Sequence, residues 1–329
     1  MRSVDRRSFL KAAGGASVLA SSLAAPAIAQ AAFPNRPLRL IVPAPAGSRH
    51  GVSARIFADE FGKALGQPVE VVNPDNTPPT NYALIAGAAA DGYTLGYGTV
   101  ELAIMHWRGL TGLKPTDVTA LALINEDPAG IHVKADSPWQ TIRQLTDHIR
   151  ANPGQLKASS TPAGGIWHLS TVGWLGASGL KHESLPWLPA TGPAAAVEDM
   201  MLGGADVIVC STPEVRATPQ AKATRTLAVM ARDRIPRFGN VPTLQQASGT
   251  SHVSGAWRGL VGPRGLDSAT AATLTTAAKA AWDSKGFQST MRRRGFQPAW
   301  ADGRGFAQYM EASSTRLGKA LRDAGVIKA

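Results

Sequence analysis

Apolar residues along this chain recur in two periods, and the alternation between them sketches the architecture. Leu38-Arg39-Leu40-Ile41-Val42 is a short apolar run stopped by Pro43 and reads as a strand. From Val52 to Leu65, Ile56, Phe57, Phe61, Ala64 and Leu65 recur at helical spacing and stop before Gly66, so a helix follows the loop. Val69 to Val72 is a second strand, and Thr94 to Gly98 a third after the turn at Asp91-Gly92. The pattern resumes at Ile131-His132-Val133, where Ser137-Pro138 predicts an N-cap and a first-turn proline for a helix carrying Ile142, Leu145 and Ile149. Leu156 to Ser159 leads through a Gly-rich loop to a helix with Leu169, Val172 and Leu175, and Val197 to Leu202 leads through Gly203-Gly204 to a strand at Val207 to Val209. Thr226 to Met230 and Gly259-Leu260-Val261 are further strands. Two helical patterns close the chain, one starting near Asp267 and one carrying Phe306, Tyr309, Met310, Leu317 and Leu321. Strands separated by helices predict an α/β protein with a parallel sheet covered on both faces.

The N-terminus falls outside this pattern. Arg6-Arg7 with Phe9, Leu10 and Lys11 precede a small-residue apolar stretch from Ala12 to Ala29, which reads as a cleaved twin-arginine export leader over residues 1–29. Gly14, Gly15, Ser17, Ser21, Ser22 and Pro26 dilute it below what a stable membrane span needs. Cleavage is expected after Ala29, or after Ala31 because Ala29-Gln30-Ala31 also fits the small-residue rule. The mature protein is therefore expected in the periplasm. The roughly 300 residues that remain exceed one compact unit and predict two lobes. Leu123 to Val133 and Ala256 to Val261 read as the chain crossings between them, giving one lobe from 32–124 with 255–329 and another from 125–254.

Composition removes several functions. The formal charge is +11, but 34 Lys and Arg are scattered and cluster only at Arg292-Arg293-Arg294, so no nucleic-acid stripe is present. A positive field suits small anions instead. The one cysteine, Cys210, cannot form an internal disulfide or a thiolate site, and the seven histidines form no HExxH or other close pair, so no metal and no cofactor are expected. G-x-S-x-G, P-loop and G-x-G-x-x-G motifs are missing after the strands, which removes the main supports for hydrolase, nucleotidase and dehydrogenase chemistry.

What recurs is a loop of small and polar residues after a strand and before a helix. These loops are Pro43 to His50, Gly98 to Glu101, Ser159 to Gly165, and Thr191-Gly192-Pro193. Helix N-termini carry unpaired N–H groups and partial positive charge, and small residues let a carboxylate approach them.

With these residues the chain resembles the substrate-binding proteins of tripartite tricarboxylate transporters, the Bug-type family. The likeness runs from about Phe33 to the C-terminus through Pro34 to Pro43, Gly66-Gln67-Pro68-Val69, Asp91-Gly92-Tyr93-Thr94-Leu95, Pro153-Gly154-Gln155-Leu156, His168-Leu169, Thr226-Leu227-Ala228-Val229 and Val241-Pro242-Thr243. It implies a two-lobed periplasmic-binding-protein fold of type 2 with two hinge strands, closing over a carboxylate without catalysis. The implied partners are a small carboxylate, a di- or tricarboxylate or an aromatic acid, and the membrane subunits of a tripartite transporter, with the receptor itself a monomer. The family's ligand loops fall on Pro45 to Gly51, Thr99 to Glu101 and Ser160 to His168. The candidate contacts are Ala46, Gly47, Ser48, Arg49, His50, Thr99, Glu101, Ser160, Thr161, Ala163, Gly164, Trp167, His168, Trp187 and Cys210.

Three departures bear on the ligand. Family members commonly place an aspartate where this chain has Gly51, and many place one where it has Cys210. The usual Gly-rich second loop has become Asn76-Thr77-Pro78-Pro79-Thr80-Asn81, whose prolines offer no N–H. Losing two acids beside Arg49 and His50 predicts a more positive cleft, suited to an anion without an amino group. Glu101 points the other way: it accepts a ligand hydroxyl or ammonium, or it pairs with Arg49. Arg49 is either a ligand contact or a solvated loop cation. His50 and His168 each have a structural alternative, Trp167 and Trp187 either stack on an aromatic acid or pack the hinge, and Cys210 alternatively closes a buried strand as a small apolar residue. The competing functions are an exported hydrolase using His50 or His168, and a carboxylate receptor that serves a membrane sensor rather than a transporter.

Overall fold

The computed structural model describes residues 33–75 and 77–328. The leader with Arg6 and Arg7, and Asn76 of the second loop, lie outside the described residues.

Strand β1 (Leu38–Ile41) feeds helix α1 (Arg49–Leu65), which ends where Gly66 adopts φ 68°, a conformation that suits glycine at a helix C-terminus. Strand β2 (Val69–Val72) follows. Pro78 and Pro79 then open helix α2 (Pro78–Ala86), where their missing N–H groups cost nothing, so part of the expected second loop is helix. After β3 (Thr94–Thr99) comes β4 (Val118–Lys134), a strand of 17 residues. Helix α3 (Ile142–Ala151) starts four residues later than Ser137-Pro138 predicts, because Thr141 and Gln144 cap it reciprocally. The chain continues through β5 (Ala158–Ser159), α4 (Ile166–Ala177), β6 (Trp187–Leu188), α5 (Pro193–Leu202), β7 (Val207–Ser211), α6 (Thr212–Arg216), β8 (Thr224–Val229) and α7 (Leu244–Ser248). It closes with β9 (Gly255–Pro263), α8 (Ser268–Asp283) capped by Asp267, α9 (Lys285–Arg293), β10 (Pro298–Asp302) and α10 (Gly303–Asp323).

The sheet order is β2-β1-β3-β9-β4-β7-β5-β6, with β8 and β10 also on β4. The wholly parallel sheet expected from alternating strands and helices is not what forms. Pairs β1 with β2 and β3, and β5 with β6 and β7, are parallel, but β9 runs antiparallel to β3 and β4, as β7, β8 and β10 do to β4. Helical crossovers decide only the direction of the strands they join, and β4 and β9 are reached by other routes.

Strand β4 serves two ladders. Up to Pro128 it pairs β9, and from Ala129 onward it pairs β7 and β8. Pro128 has no N–H to give a ladder, which suits it to the handover. β9 is buried along its whole length, and Trp257 packs edge-on against Phe306 of α10, 5.5 Å between ring centres. No helix among the described residues is long and apolar enough to cross a membrane.

Candidate functional site

The carboxyl ends of β1, β3, β5 and β7 converge beside the handover on β4, where open α/β sheets place their ligands. The cleft there encloses about 440 Å³, enough for a small molecule. Ser48, Arg49 and His50 after β1, Glu101 after β3, and Thr161, Ala163, Gly165 and Trp167 after β5 line it. The fourth contribution is Glu214 after β7, not the Thr191-Gly192-Pro193 loop expected from the sequence.

Two helices begin at the cleft, α1 at Ser48 and α4 at Gly165, and neither has an acid in its first turn. Ser48 Oγ accepts from Gly51 N at 3.2 Å and donates to Pro45 O at 2.6 Å, which holds the first loop tight. Gly51 is glycine for a steric reason. A Cβ there would lie 2.8 Å from Pro45 O and closer still to Ala46 O, so the loop leaves no room for a larger side chain.

Arg49 does not pair with Glu101. Its Nη2 donates to Asp127 Oδ2 at 3.0 Å and to Gly295 O at 3.2 Å, and its guanidinium lies 4.2 Å from the centre of the Phe296 ring. Arg258, buried on β9, donates from Nη1 to the same Asp127 oxygen at 2.8 Å and to Asn125 Oδ1 at 2.9 Å, and from Nε to His50 Nδ1 at 2.9 Å. Asp127 Oδ1 accepts from Asn125 Nδ2 and from Gln297 N. Burial, then the Arg258 charge, lowers the His50 pKa to about 4.

Glu101 Oε2 instead accepts from Thr99 Oγ1, itself 2.8 Å from the Tyr82 hydroxyl. Thr99 is buried and sits behind Glu101 rather than in the cleft. Glu214 accepts from Ser211 N at 3.0 Å and Ser211 Oγ at 2.6 Å, and burial raises its pKa despite the opposing Arg49 charge. Asp127 thus pairs Arg49 and Arg258, and Glu101 and Glu214 add negative charge to the cleft wall, which offsets part of the positive excess expected from the missing acids, while Arg108 has no carboxylate partner among the described residues.

His168 and Trp187 do not line this cleft. They line an adjoining cavity of about 360 Å³ that shares Ala163 with it, and from there they hold the second ligand loop. Gly164 N donates to His168 Nδ1 at 3.0 Å, and Trp187 Nε1 donates to Thr161 O at 2.9 Å. Burial lowers the His168 pKa to about 4, which keeps Nδ1 an acceptor. Ser160 and Gly164 are buried in the same loop, while Ala46 and Gly47 are exposed and outside the cleft wall. Cys210 is not brought to the cleft either: it is fully buried at the end of β7, and its carbonyl lies 3.2 Å from His132 Nε2. Among the described residues, no group of three or more His, Cys, Asp or Glu is arranged to hold a metal.

The model of the tripartite tricarboxylate transporter family receptor matches residues 53–326. The chain belongs to this receptor family. It is 29% identical to a Cupriavidus necator protein described only by its position in the gbd 5′ region, across 99% of this chain and all of that one. A TctC solute-binding protein from Polaromonas, solved without ligand, superposes with a TM-score of 0.79 at 29% identity, over 88% of this chain and 99% of that one. A Rhodopseudomonas palustris protein solved with adipate shares the fold, with a TM-score of 0.72 at 23% identity over 89% of this chain and 98% of that one. The family is one of solute receptors rather than enzymes, and the fold is that of periplasmic binding proteins.

For this receptor, sequence reasoning missed Asp127, Arg258, Arg108 and Glu214. A signal existed for two of them. Arg258 interrupts Gly255 to Pro263, and Asp127 stands inside the long β4 run; a charge within a buried strand must be paired.

Proposed function

We propose that this protein is a periplasmic receptor that captures a small carboxylate, a di- or tricarboxylate or an aromatic acid, and delivers it to the membrane subunits of a tripartite tricarboxylate-type transporter. The observation that carries the reading is the meeting of two helix N-termini, those of α1 and α4, in one cleft with Arg108, which no carboxylate among the described residues pairs. Adipate in the R. palustris protein of the same fold agrees with a carboxylate ligand. The receptor works as a monomer of two lobes, 32–124 with 255–329 and 125–254, that close by hinge motion. The ladder handover at Pro128-Ala129 and the start of β9 at Gly255 lie close to both lobe boundaries. Cleavage of the leader releases it on the outer side of the membrane.

A thermal-shift screen of leaderless protein against aliphatic and aromatic carboxylates tests the reading, because a ligand bound only by the folded state raises its melting temperature. At least one acid is expected to do so, with calorimetry giving one site per chain. A screen in which no carboxylate shifts melting at millimolar concentration would remove the proposal.

A further inference from the structure

Of the three arginines in the cleft, Arg49 and Arg258 converge on one oxygen of Asp127. Arg108 is exposed, lines the same cleft, and has no carboxylate partner among the described residues. Its guanidinium lies against Gly164, where a Cβ would stand 3.4 Å from both Arg108 Cζ and Nε and 3.3 Å from Val326. Gly164 has φ 78°, so glycine is favoured there by the backbone as well as by the space the guanidinium occupies. Arg108 therefore reaches from the segment after β3 to the loop that enters α4. That loop supplies donors. Among the described residues, Ser160 Oγ and Thr161 Oγ1 are enclosed without a hydrogen-bond partner, and α4 starts with no side-chain cap.

We infer that Arg108 is the specificity-determining cation of this receptor, and that it and the first turn of α4 hold one carboxylate of the ligand between them. The inference rests on the carboxylate-receptor reading. A free guanidinium offers a planar fork that matches a carboxylate, whereas Arg49 must first give up Asp127 or Gly295 to do the same. An anion at this corner touches Arg108 on one side and α4 on the other, so it bridges the two sides of the cleft.

Calorimetry on leaderless protein with succinate, malate and adipate, each titrated separately, provides the test. Arg108→Gln is expected to weaken the acid that binds best by about tenfold to a hundredfold. Arg108→Lys should recover only part of this, because it restores the charge and not the fork. The loss of affinity from low to high salt should be shallower in Arg108→Gln, while the melting temperature of the empty variant stays at the parent value. Arg304→Gln, on exposed α10 surface, should bind like the parent. If the parent binds an acid and Arg108→Gln binds it within about twofold, the inference is overturned while the receptor reading stands. An empty Arg108→Gln protein that melts well below the parent overturns it too, since Arg108 would then be a structural residue. If neither these three acids nor any acid of the thermal-shift screen, aromatic ones included, binds the parent, both readings fail together.

Discussion

Arg258 donates its Nε–H to His50 Nδ1 at 2.9 Å, and that contact fixes the imidazole as a neutral acceptor. An arginine is always protonated, so Nδ1 must be bare and the ring proton sits on Nε2. Burial, and then the charges of Arg258 and Arg49 that a second proton on His50 would face, lower its pKa to about 4.

The pH dependence of stability follows in sign. An unfolded histidine titrates near 6.5, so between there and about pH 4 the unfolded chain holds a proton that folded His50 refuses. The stability tied to the neutral ring is whole above pH 6.5, declines as pH falls, and stops declining below about 4. His132, His168 and His252 are lowered to about 4 mainly by burial and act in the same direction. Urea unfolding across this range should show His50→Gln with a slope shallower by up to about one proton. An unchanged slope would place the proton uptake elsewhere.

Asp127 is the anion on which Arg49 and Arg258 converge. Asp127→Asn keeps the shape but leaves buried Arg258 without its carboxylate, and should cost about 3–5 kcal/mol in denaturant unfolding. Arg49→Ala, which leaves Asp127 still paired with Arg258, should cost less, about 1–3 kcal/mol. The sequence alone suggests that Arg49→Ala changes affinity and leaves the empty protein's melting nearly unchanged; its bond to Asp127 predicts a measurable fall in melting.

Gly51 and Gly47 make a matched pair. Gly51→Ala puts a methyl group into the Pro45 and Ala46 carbonyls and should destabilise by about 1–3 kcal/mol while loosening the Ser48 to His50 loop. A Cβ at Gly47 meets nothing within 4 Å, so Gly47→Ala should be nearly neutral. Thermal melts of both variants decide it. Gly51→Asp cannot serve as a clean charge test for the same steric reason.

The leader makes a prediction of mass. Periplasmic material should begin at Gln30 or Ala32, as intact mass spectrometry will show, and a retained leader would count against export by cleavage.

Periodicity alone placed α1, the α4 helix, the strand at Val207 to Val209, and the start of a helix near Asp267, because each rests on local spacing. Local signals also located the loops of Pro43 to His50 and Ser159 to Gly165, since small polar residues before a helix mark a βα turn wherever the fold puts it. Strand direction was not legible beyond the helical crossovers, and the antiparallel insertion of β9 between β3 and β4 came only with the fold.

The roles inside the cleft were decided by distance in space. Arg49 and Asp127 lie 78 residues apart, and Arg258 and His50 lie 208 apart, so no local pattern could say that Arg49 would meet Asp127 rather than Glu101. Local spacing carries a residue's neighbours along one helix or strand. Charge pairing at a cleft depends on which strand ends the topology brings together, and only the folded chain settles that. Thus His168 and Trp187, chosen from sequence as contacts, became supports of the loop that lines the cleft, and Arg108, with no motif around it, became the cleft arginine without a carboxylate partner among the described residues.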